Sequence, residues 1–308
     1  MSVLQRCTND RIQLWRLLLC AVLYVLTVTM TAAQDTEKSD AEPSASDTGL
    51  SPAQKSWIFN GSVLGAVGVY GSLNWWEEFG NIRFSNEGWF EQDTDNGGAD
   101  KTGHAFSTYA FSRIFSATYR KFGISEDSAA WQGSLSGFAF MSLLEAGDSF
   151  NDFGFSSRDI AANSAGALLA YISERSETFD RFIDFRIEYA PSPGLLKSGE
   201  TDIFTDYSGM KHLVAFKFSG FEDFEKTPLA FLELHAGYYS RGYKEYDTGH
   251  FDQKERNVFC GLSLNLSRLF QQAAEKTSKA GCVFQSASKF LEYYQPPCTS
   301  LHYNRRLE

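Results

Sequence analysis

Recognisable catalytic motifs are missing from this chain of 308 residues. It has no Gly-x-Ser-x-Gly elbow, no His-Glu-x-x-His pair, no Walker loop and no dinucleotide fingerprint, so the reactions those motifs serve have no local support. Cysteine is scarce. Cys260, Cys282 and Cys298 are the only ones after the first 33 residues, and they lack metal-type spacing. In an exported protein that odd count allows one disulfide and one free thiol, with no connectivity legible. Positive charge is also in deficit, with 28 Lys and Arg against 38 Asp and Glu. Without a basic stripe, nucleic acid is excluded as a partner. The longest apolar run, Leu17 to Met30, falls short of the about 20 residues needed to span a bilayer. No internal repeat is evident.

The first residues have the composition of an export signal. Arg6, Arg11 and Arg16 precede that apolar run, and Thr31-Ala32-Ala33 offers small residues for cleavage. Cys20 lies inside the run and is a poor match to a lipoprotein cleavage site. Removing residues 1–33 takes away three Arg and one Asp, leaving 25 basic and 37 acidic residues, net −12. Residues 34–56 are rich in Ser, Asp, Glu and Pro. They have too little apolar surface to offset ordering entropy, so a flexible acidic linker is predicted.

Over the whole chain the apolar content is ample, 43% hydrophobic and 15% aromatic, and all 27 Phe lie beyond the linker. Aromatics at this level suit a thick core or a membrane surface. Ile58 to Leu73 is uncharged and carries Gly61, Gly65, Gly68 and Gly71 at helical intervals, a stripe expected to pack closely on another backbone. Asn81 to Gly98 has the composition of a loop, broken by Gly97-Gly98. Helices are predicted over about Thr102–Phe122, Glu126–Ala146 and Ser156–Glu174. In the second of these, Trp131, Leu135, Phe138, Ser142 and Glu145 recur at helical spacing and are expected to face inward. Four helices with short connections predict a small bundle over residues 57–176.

From Glu177 the period shifts to two. Ile183–Tyr189, Lys211–Phe218, Ala230–Tyr239 and Val258–Leu266 alternate in the manner of strands, most simply an antiparallel sheet. A further helix is expected from Ser267, followed by an irregular tail. The fold class is therefore α+β, a helical bundle followed by a β-rich region over 177–308.

Against the apolar helices three polar clusters stand out. Asp100 and His104, with Lys101 between them, are four apart and share one side of a helix start. Such a carboxylate and imidazole, with Glu145, could hold a divalent cation or act as an acid–base pair. The plain alternative makes Asp100 an N-cap and His104 a hydrogen-bonded core residue. Glu145 and Asp148 oppose the macrodipole near a helix C-terminus, where burial requires a compensating cation. Ser156 and Asp159 have capping-box spacing; Asn163 lies one turn on, and Gly166 would admit a neighbouring helix. The four scattered histidines His212, His235, His250 and His302 are expected to be structural or on the surface.

Taken in order, Asp100-Lys101-x-x-His104, Glu145-x-x-Asp148 and Phe155-Ser156-x-x-Asp159-x-x-x-Asn163-x-x-Gly166 resemble the YfiM-like family of predicted periplasmic lipoproteins. The same order is distantly similar to VanZ-like membrane proteins, in which Gln usually stands at the position of Asp148. The likeness spans roughly Trp57 to Glu174. It implies export to the envelope of a Gram-negative bacterium, in the periplasm or associated with the outer membrane, and carries no assigned activity. The expected function is thus an envelope protein, near a membrane or lipid, whose Asp/His/Glu/Asn cluster binds a ligand or locks the bundle. No cofactor is required on this reading, and no protein partner can be read. The alternatives are a metal-assisted or acid–base enzyme acting on a lipid or cell-wall component, and a membrane-embedded VanZ-like or outer-membrane protein.

Overall fold

The computed structural model describes residues 49–75, 81–150, 154–277 and 280–307; the export signal and linker residues 34–48 lie outside them. Helix α1 (Pro52–Asn74) begins inside the stretch read as linker. Ser51 and Gln54 form a reciprocal capping box and Pro52 occupies the first turn, so local signals start a helix despite the polar composition. Phe59, Val63 and Val67 of α1 pack on a core built around Phe115, Tyr119, Phe140 and Met141. The first three glycines of the stripe do not make that contact, while Gly71 is buried. A Cβ added at Gly61, Gly65 or Gly68 would meet nothing within 4 Å.

Helix α2 (Ala99–Lys121) is central to the bundle, flanked by α3 (Glu126–Asp148) and α4 (Ser157–Arg175). Its N-cap is Gly98, at φ 84°, and not Asp100, which lies in the first turn. Only glycine fits there: a Cβ would lie 2.3 Å from the Phe90 ring and 2.6 Å from the Trp89 carbonyl oxygen. On α3 the predicted inward stripe is displaced. Trp131 and Leu135 are 59% and 51% exposed, while Ala129, Ala130, Gly133, Ser134 and Gly137 are buried. The small residues win because they let two backbones approach; a Cβ on Gly133 or Gly137 would collide with Ser116 or Ser112.

A short helix α5 (Glu177–Phe182) leads into β1 (Ile183–Tyr189), after which come α6 (Pro193–Ser198), β2 (Met210–Lys217), β3 (Leu232–Arg241) and β4 (Glu255–Leu264). Asn265, rather than Ser267, caps α7 (Leu266–Lys276) by accepting the Arg268 N–H. Helix α8 (Gly281–Phe290) follows. The tail predicted to be irregular supplies β5 (Tyr294–Gln295) and β6 (Ser300–Leu307). Strand order is β5-β1-β2-β3-β4-β6, antiparallel throughout except for the β1–β5 pair. No disulfide joins Cys260, Cys282 and Cys298.

Two features of this sheet were not legible in its alternation. The first is curvature. Its outermost strands, β5 and β6, are joined by residues 296–299 alone. Six strands laid flat would separate those edges by about 24 Å, beyond the roughly 18 Å that such a link can reach. Gln295, beside β1, accordingly donates from Nε2 to Ser263 of β4 at 3.2 Å, so the sheet curls toward closure. The second is polarity. The concave side buries Asp184, Arg186, Glu233, His235, Ser263 and Gln295. Arg186, fully buried, donates to Asp184, Glu233 and Gln295 through all three of its nitrogens. The convex side carries Val214, Leu234, Val258, Leu262, Leu264, Leu301 and Tyr303, all exposed. Near β1 and β2 that convex side is covered by α2, through Phe106 against Phe185 and His212. The loop before α2 covers one end of β3 and β4, through Phe90 against Tyr238 and through Arg256 on Gln92; toward Leu234, Leu262 and Leu301 the side is exposed among the described residues.

Candidate functional site

The polar centre of the bundle grows from the first turn of α2. Lys101 is 3% exposed, and a buried ammonium needs full compensation. Its Nζ lies 2.7 Å from Asp100 Oδ2 and 2.8 Å from Asp159 Oδ1, and it also donates to Glu87. Three carboxylates thus share one cation. Burial opposes the ammonium, but Asp100 and Asp159 outweigh it and raise the Lys101 pKa above its usual value. Glu87 is shifted upward by burial, with Lys101 pulling against that shift. Through these bonds Lys101 ties the loop before α2 to the start of α4.

One turn along α2, His104 faces α3 and α4. Asn163 Oδ1 of α4 lies 3.2 Å from His104 Nδ1 and 2.9 Å from the Thr108 hydroxyl, whose one proton is shared with His104 O at 2.8 Å. This holds the imidazole with its Nε2 toward two carboxylates, 4.0 Å from Glu145 Oε2 and 3.9 Å from Asp159 Oδ2. Both separations exceed hydrogen-bond length.

Glu145 closes the buried face of α3, and its Oε1 accepts the Ser156 N–H at the N-terminus of α4. The cap is therefore split. Ser156 Oγ accepts the Asp159 N–H at 3.3 Å, while Glu145, not Asp159, returns the second bond. Asp159 is left to address Lys101 and His104. Burial drives the Glu145 pKa up to about 8, the Ser156 N–H opposes the shift, and the charges of Asp159, Asp148 and Glu87 add to it. Glu145 is thereby held toward its protonated, neutral form at neutral pH.

Of the residues singled out from sequence, Asp100, Lys101, His104, Glu145, Asp159 and Asn163 converge. Asp148 stands at the edge: it is half-buried and acts on Glu145 through its charge. Gly166 is where α4 meets α2, since a Cβ there would come within 2.1 Å of the Ala105 carbonyl oxygen. The predicted metal set of Asp100, His104 and Glu145 is redistributed. Asp100 joins Glu87 and Asp159 around Lys101, and Asp159 joins His104 and Glu145.

Sequence reasoning missed Glu87, a loop residue with no periodic signal to mark it. It also missed the wall opposite. The Thr102 hydroxyl, which donates to Ala99 O, lies 2.9 Å from Nδ1 of His212 on β2. His212 is buried and burial lowers its pKa to about 3, keeping it neutral.

Residues 86–175 match a family described as "Predicted periplasmic lipoprotein (DUF2279)". The matched stretch begins later than Trp57; it contains Glu87 and every residue of the polar centre, and leaves α1 and the sheet outside. No curated protein and no solved structure matches the chain. No described helix is long and apolar enough to cross a membrane.

Proposed function

We propose that this chain is an exported protein of the Gram-negative envelope, YfiM-like in its helical region, that seats the convex face of its sheet on the acyl region of a membrane. The observation that carries this reading is the inverted sheet. In water a curled sheet gains by burying its apolar side, yet here buried ion pairs of Arg186 with Asp184 and Glu233 share the concave side with the small cluster of Leu213, Ala215, Tyr239 and Phe259. Leucine, valine and tyrosine stand outward, with Leu301 81% and Tyr303 72% exposed. Polar-in, apolar-out alternation is the pattern lipid contact selects. Contiguous exposed apolar surface also marks contact sites in general. On this reading the Lys101 cluster locks the bundle that carries the sheet.

The test is sedimentation with vesicles of phosphatidylethanolamine and phosphatidylglycerol, using protein from which residues 1–33 have been removed. The parent protein is expected in the vesicle pellet, and a Leu234→Glu/Leu262→Glu variant with unchanged circular dichroism is expected in the supernatant. Parent protein that stays in the supernatant would reject the reading, as would a variant that pellets equally.

A further inference from the structure

We propose that His104, Glu145 and Asp159 form a binding site for one divalent transition-series cation, Zn²⁺ or Mn²⁺, at the junction of α2, α3 and α4. The inference concerns the bundle and is independent of the membrane reading of the sheet.

Geometry comes first. An imidazole that donates from Nδ1 presents a lone pair at Nε2, which is the tautomer His104 takes with Asn163 Oδ1 as its partner. Metal-bound histidines are commonly oriented this way by a partner on the other ring nitrogen. Facing the lone pair are two further acceptors, Oε2 of Glu145 at 4.0 Å and Oδ2 of Asp159 at 3.9 Å. Ligand atoms of all three residues lie within 4.8 Å of one another. A point equidistant from three atoms so spaced lies about 2.5 Å from each, so small side-chain shifts of a few tenths of an ångström would bring them to the roughly 2.0–2.2 Å of zinc bonds.

Second, two of these ligand residues are buried in a way their hydrogen bonds do not explain. Glu145 is 2% exposed, and its cap bond to Ser156 occupies only Oε1. Asp159 is 4% exposed, and its pairing with Lys101 is through Oδ1. The remaining oxygen of each is turned toward the imidazole at a distance too long for a hydrogen bond and short enough to share an ion. Local charge agrees. Asp100 and Asp159 both pair with the single ammonium of Lys101, so a divalent cation at Asp159 would add positive charge where carboxylates are in excess.

Third, the donor set selects the ion. One imidazole nitrogen with two carboxylate oxygens suits zinc or manganese better than calcium or magnesium, which favour oxygen alone. His104 is the most open of the three, with 18% side-chain exposure against 3% and 5%. That leaves a route for the ion and coordination positions for water.

Calorimetry of chelator-treated protein, titrated separately with Zn²⁺, Mn²⁺, Mg²⁺ and Ca²⁺, tests the assignment. The expected result is one Zn²⁺ or Mn²⁺ per chain, with affinity reduced at least tenfold in both His104→Gln and Glu145→Gln. His104→Gln alters the most exposed of the three groups and keeps the test decisive if Glu145→Gln fails to fold. Absence of stoichiometric uptake would overturn the site. So would uptake unchanged in His104→Gln, which would place the ion elsewhere.

Discussion

Replacing Lys101 by Met isolates the role of the buried charge, because the substitution keeps the length and apolar stem of the side chain and deletes the ammonium. In the parent protein that ammonium is within 2.8 Å of both Asp100 and Asp159 and also binds Glu87. Breaking a buried pair by removing one partner costs about 3–5 kcal/mol, and here the partner removed serves three carboxylates. At about 2–4 °C per kcal/mol for domains of this size class, the melting temperature should fall by roughly 6–20 °C. The loss should also depend on pH in a defined direction. Carboxylates left without their cation have folded-state pKa values above their unfolded values. They then bind more protons when folded, and stability falls as pH rises through their range. The deficit relative to the parent is therefore largest at neutral pH and shrinks as pH falls toward about 4–5, the ordinary carboxylate range. Thermal melts of both proteins across that interval, with urea midpoints at unchanged m, measure it. A Lys101→Met variant within about 1 kcal/mol of the parent at pH 7 would refute the reasoning, as would a deficit that does not change with pH.

Other perturbations are as specific. Gly166→Ala drives a Cβ into the Ala105 carbonyl and should cost about 1–3 kcal/mol in a urea melt; Gly65→Ala, in open space on α1, should be neutral or stabilising by up to about 1 kcal/mol. Arg186→Lys keeps the charge but loses the fork that serves Asp184, Glu233 and Gln295 together. It should melt well below the parent, whereas a melt indistinguishable from the parent's would show that charge alone suffices. His212 is held neutral with its pKa lowered to about 3, while the unfolded chain takes up that proton near the usual 6.5. Its contribution to stability is thus present above about pH 6.5 and is lost as pH falls toward 3. His212→Gln should flatten the acid limb of the stability profile, and an unchanged limb would exclude His212 as its source.

The bundle was legible where one signal sufficed. Ser156 as a cap, the four-residue spacing of Asp100 and His104, and the clustering of charge on otherwise apolar helices each pointed to the observed arrangement. Legibility failed where the outcome depended on which of two surfaces turns inward. On α3 the large residues Trp131 and Leu135 gave the stronger periodic signal, but interhelical contact went to Ala129, Gly133 and Gly137, because small side chains permit the closer approach. On the strands, a period of two groups residues by side without saying which side is covered. Asp184, Arg186 and Glu188 alternate with apolar partners just as an outward charged row would. A sharper cue was present: Lys217 and Glu233 are cross-strand partners on that same side, so charges of both signs gather where mutual pairing can satisfy them. Strands β5 and β6 escaped because Pro296-Pro297 and a run of polar residues mask their alternation. Glu87 escaped because a loop position carries no periodicity at all.

The short link between β5 and β6 has a consequence for biogenesis. Strands β1 to β4 follow one another as successive hairpin partners and can pair as soon as each has been synthesised or translocated. Arg186 cannot complete its set of acceptors until Gln295 arrives, more than a hundred residues later. Until then a guanidinium and its carboxylates wait in an unroofed groove, so the half-made sheet is a species that chaperones and proteases of the export route would encounter. The buried guanidinium is thus fully satisfied only once the last strands are in place.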